Sequence, residues 1–85
     1  MNAAPHRTTL CLEYGAEAEA ATVERSLRQE VGEIDDGRST TALAREGRTV
    51  ELTIDADDLV ALRAAANTWL SLASVAERTA ETVDF

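Results

Sequence analysis

The chain has 85 residues and a formal net charge of −8, with 16 acidic side chains against eight basic ones, all of them arginine. A chain this short makes one small domain that hides only about 60–65% of its unfolded surface, so its stability is marginal without help. The charge argues against autonomous nucleic-acid binding, which works by neutralising phosphates. The single Cys11 excludes an internal disulfide, and one histidine with one cysteine offers no metal-ligand spacing.

Apolar residues make up 45% of the chain, but alanine supplies much of that, and the aromatics are only Tyr14, Trp69 and Phe85. Leucine, isoleucine and valine must build a thin core, which makes a partner or a second copy an attractive source of further burial. An acidic, alanine-rich sequence without lysine resembles a cytoplasmic protein of an extreme halophile. Carboxylates hold water tightly, and a Debye length near ~3 Å at 1 M salt screens their repulsion. No apolar run approaches the ~20 residues of a membrane span. The start, Met1 to Pro5, lacks the basic-then-apolar layout of a signal peptide, so a cytoplasmic location is expected.

After a short tail over residues 1–6, Thr8 to Tyr14 alternates. Thr8, Leu10, Leu12 and Tyr14 face one way, and Thr9, Cys11 and Glu13 the other, which predicts a half-buried strand. Cys11 is then a small strand residue; no histidine or acid is placed by motif to activate it. Gly15 ends the strand. Ala16, Ala20, Val23, Leu27 and Val31 recur at helical spacing, predicting a first helix over Ala16 to Val31, with Gly32 as its stop. Glu17 and Glu19 at its start and Arg25 and Arg28 later suit the helix dipole.

Asp35-Asp36-Gly37 reads as a turn and not a metal or acid–base pair, because no third ligand is near in sequence. A hairpin follows. A Glu46-Gly47 turn would set Arg45 opposite Arg48, Leu43 opposite Val50, Thr41 opposite Leu52 and Ser39 opposite Ile54. The reverse face then carries Thr40, Ala42 and Ala44 against Thr49, Glu51 and Thr53.

Asp55 or Asp57 is expected to cap the last helix, with Asp58 adding charge to its first turn. The helix should run to about Thr79 and span ~35 Å. Its seam is predicted as Leu59, Leu62, Ala66, Trp69, Ala73, Ala76 and Ala80, beside a strip of Arg63, Asn67, Leu70 and Ser74. Residues 81–85 read as a tail, although Phe85 is able to dock. The expected fold is α+β, in the order β-α-β-β-α. A three-stranded antiparallel sheet, order 1-3-2, carries both helices on one face and leaves the first and second strands as open edges.

The segment Ala56-Asp57, then Leu62-Arg63-Ala64-Ala65-Ala66-Asn67-Thr68-Trp69-Leu70, resembles the signature of the small dimerisation subunit of the KEOPS complex, here of haloarchaeal type. Thr68 stands where that family usually has serine, and Trp69 where it has tyrosine or phenylalanine. Leu10-Cys11-Leu12, Ser26-Leu27 and Arg38-Ser39 fit its layout, so the likeness covers nearly the whole chain. The resemblance implies a role in threonylcarbamoyl modification of the adenosine next to the anticodon of transfer RNA. The chemistry would belong to a separate catalytic subunit of the ASKHA fold. The small subunit would pair with itself, or with a similar small protein, through its sheet, and so bridge two catalytic subunits. No cofactor is implied.

On this reading Leu62, Arg63, Ala66, Asn67 and Leu70 form the helix contact with the catalytic subunit, since small alanines permit close helix approach. Arg38, Arg45 and Arg48, on the loop and hairpin, are candidate phosphate contacts within the larger complex, against a simpler duty in local charge balance. Two other classes compete. A KH-like RNA-binding module would need Gly-x-x-Gly, and Gly15, Gly32, Gly37 and Gly47 lack that spacing. A dimeric ligand-binding regulatory domain would need a glycine-rich or charged pocket. An enzyme is least expected, for want of a phosphate loop or nucleophile elbow.

Overall fold

The computed structural model describes residues 5–33 and 37–81. Its elements are β1 (His6–Glu13), α1 (Glu17–Arg28), β2 (Ser39–Glu46), β3 (Thr49–Ala56) and α2 (Leu59–Glu81). The sheet order is β1-β3-β2 with both pairings antiparallel, as expected, so β1 and β2 are parallel edges flanking β3.

β1 alternates half-buried and exposed residues along its whole length. It begins at His6, earlier than expected, because β3 runs on to Ala56 and supplies partners for His6 and Arg7. Arg7 then grips Asp55 across the strands through two hydrogen bonds of 2.6 and 3.0 Å. Asp55 is therefore a strand residue and caps nothing.

The hairpin register differs from expectation by two residues. Glu46 pairs with Thr49, Arg45 with Val50, Leu43 with Leu52, Thr41 with Ile54 and Ser39 with Ala56. The turn is Gly47-Arg48, with φ of +61° at Gly47 and no positive φ at Arg48. Glycine is the residue that takes positive φ without a Cβ clash, so it falls at the first turn position, the requirement of a type II′ turn. A slip of two leaves every side chain on its predicted face, because the strand period is two.

α1 ends at Arg28, short of the expected Val31. Beyond it, Glu30, Val31 and Glu33 donate to carbonyls three residues back, at Leu27, Arg28 and Glu30. These tight turns carry the chain to Gly32, whose φ is +91°. Of the expected Asp35-Asp36-Gly37 turn, the first two residues lie outside the described residues, as does Phe85.

The cap of α2 is Asp58, not Asp55 or Asp57. Its Oδ1 accepts the Ala61 N–H at 2.8 Å, and its Oδ2 accepts a bond of 2.6 Å from Arg38. Starting one residue after Asp58 sets the buried stripe of α2 at Ala61, Ala65, Trp69, Ala73, Ala76 and Ala80. The second half matches the predicted seam. The first half does not: Leu59 is 59% exposed, and Leu62 and Ala66 are only half-buried against the core. Alanines let the helix axis approach the sheet closely, and larger side chains are displaced to the flanks.

β3 is the centre of the core, with Val50, Leu52 and Ile54 fully buried beneath Val23 and Leu27 of α1 and Trp69 of α2. Trp69 is the largest buried side chain, and its indole N–H donates to Thr41 Oγ1 on β2 at 2.9 Å. Contrary to the reading of apolar runs, α2 has the length and mean hydropathy (1.3) of a membrane span. Here its alanine and tryptophan face closes the core of a small domain.

Candidate interaction surfaces

α2 presents three different sides. One packs on the sheet. A second flank, with Val60, Ala64 and Thr68, borders a shallow recess of about 140 Å³ beside Arg38 and Ser39 at the start of β2. The third flank leans over β1: Tyr14, at the end of that strand, donates its hydroxyl to Glu77 at 2.7 Å. Glu77 stands one helical face below Leu70, Ala66, Leu62 and Leu59, so these residues line the β1 side of the helix. Burial of the Tyr14 ring, and then the Glu77 carboxylate, push the phenol pKa well above its usual range. The hydroxyl thus stays protonated and ties β1 to α2.

Of the five residues predicted as a helix strip, Arg63, Asn67 and Leu70 are exposed, while Leu62 and Ala66 are half-buried against the chain's own core. The strip is contiguous, but its lower edge belongs to the domain. Among the described residues the large exposed apolar side chains are Leu59, Val60, Leu70 and Val75, all on α2. Sequence reasoning assigned Leu59 to the core and left Val60 and Val75 unassigned. Their exposure depends on the rotation of the helix, which the Asp58 cap sets. A second recess, about 180 Å³, opens between the helices and is lined by Ser26, Leu27, Leu72, Val75, Ala76 and Thr79 among others.

The three predicted arginines do not form one patch. Arg38 lies at the start of β2 on Asp58, whereas Arg45 and Arg48 lie at the hairpin end, about 20 Å away along the strand. Arg45 donates to Glu24 of α1 at 3.1 Å and to the Gly47 carbonyl at 2.9 Å. Glu24 is also bonded by Arg28, and these two guanidiniums hold its carboxyl below the usual carboxylate range. A charged network therefore overhangs β2.

The sheet face opposite the helices carries Thr9, Cys11 and Glu13 beside Thr40, Ala42, Ala44 and Glu51. The Cys11 thiol is exposed and 3.8 Å from a Glu51 oxygen. Among the described residues, no group of three His, Cys, Asp or Glu side chains is gathered to hold a metal.

The edge of β1 has a definite polarity. Tyr14 N–H donates to the Arg48 carbonyl at 3.0 Å, continuing the β1–β3 ladder. In an antiparallel pair hydrogen bonding alternates. The main-chain groups of Leu12, Leu10, Thr8 and His6 therefore turn towards β3. Those of Arg7, Thr9, Cys11 and Glu13 turn outward. Nothing interrupts this edge: from Thr8 to Leu12 it has no charge, proline or bulge, the devices that normally protect an edge strand.

Comparison with known proteins gives one family. The protein-family model described as transcription factor Pcc1 matches residues 7–81. No curated protein matches the chain.

Proposed function

The chain belongs to the Pcc1 family, whose members are subunits of the KEOPS complex, and we propose that it is a non-catalytic assembly subunit of such a complex. In this role it pairs through an open sheet edge with a second copy or a similar small protein. The outward side of α2 docks on the catalytic subunit, and the pair bridges two catalytic subunits that modify transfer RNA. The observation carrying this reading is the outward side of α2, where Arg63, Asn67 and Leu70 are exposed in one strip. Leu62 and Ala66 already serve the domain's own packing, so the contact proposed here centres on the other three residues.

The family's description names a transcription factor, but a net charge of −8 favours a protein partner over direct DNA contact. Any contact with transfer RNA is proposed only within the assembly. Arg38 and Arg45 already have carboxylate partners here. A cytoplasmic location is part of the same proposal.

The test is co-purification with the catalytic subunit at molar KCl. Replacing Arg63 and Asn67 together by alanine should weaken that association by about tenfold or more, as removal of an interface anchor does, with the circular dichroism spectrum unchanged. Loss of helical signal in step with loss of binding would instead make both residues structural.

A further inference from the structure

We draw no further inference here: the strongest candidate, the recess among Ala44, Glu46, Thr49 and Glu51 on the sheet face opposite the helices, is an acidic cluster, and nothing in the structure shows what ligand or partner covers it.

Discussion

Trp69 carries more of the fold than any other residue. Five alanines form the rest of its buried stripe, each with little apolar surface, while the indole fills the space between α2, β3 and β2. Trp69→Ala is expected to cost about 3–5 kcal/mol. That is most of the stability of a domain this small, and urea unfolding should show a chain already partly unfolded in buffer. Thr41→Val keeps the shape but leaves the indole N–H without its acceptor, for a smaller loss of about 1–3 kcal/mol by the same measurement. An equal loss in both variants would show that the hydrogen bond, not the packing, dominates. The spacing of Trp69 with Ala73, Ala76 and Ala80 made it legible as core from sequence. Its partner was not legible, because the hairpin register had to be known first.

Among the elements, α2 depends most on its first turn. Asp58 accepts the Ala61 N–H and, secondarily, the Arg38 guanidinium, and both hold its carboxyl below the usual carboxylate range. A group whose value is lowered on folding stabilises the fold fully above its unfolded value and loses that contribution as pH falls through the folded one. Asp55, held down by Arg7, and Glu24, by Arg28 and Arg45, act in the same direction. The melting temperature should therefore fall as pH drops from neutral to about pH 3, across the carboxylate range. In Asp58→Ala it should already be lower at neutral pH and fall less on acidification. A variant with the same acid slope as the parent would remove Asp58 from this account. Element types and order were readable because Thr8–Tyr14 alternates and α1 and α2 keep helical spacing. The cap was not, since Asp55, Asp57 and Asp58 all satisfy the local chemistry. Only pairing of β3 out to Ala56 decides among them, and with it which side of α2 presents Leu59.

At the scale of the whole molecule, charge is the distinguishing property. The ion pairs seen here all join arginine to a carboxylate, and three of them share only Glu24 and Asp58 as acids. Among the described residues these pairs use only Asp55, Glu24 and Asp58, and with a net charge of −8 self-repulsion opposes compaction in dilute buffer. We expect the melting temperature to be higher in molar KCl than at low ionic strength. No difference between the two would argue against a protein adapted to concentrated salt.

The sealed position of the chain's single indole makes the molecule its own optical probe. Its emission should stay at short wavelength as long as the interior is dry, and should move to the red when water enters. For the self-pairing proposed above, diluting the protein while following both emission and sedimentation would distinguish copies that part while folded from copies that part because they unravel.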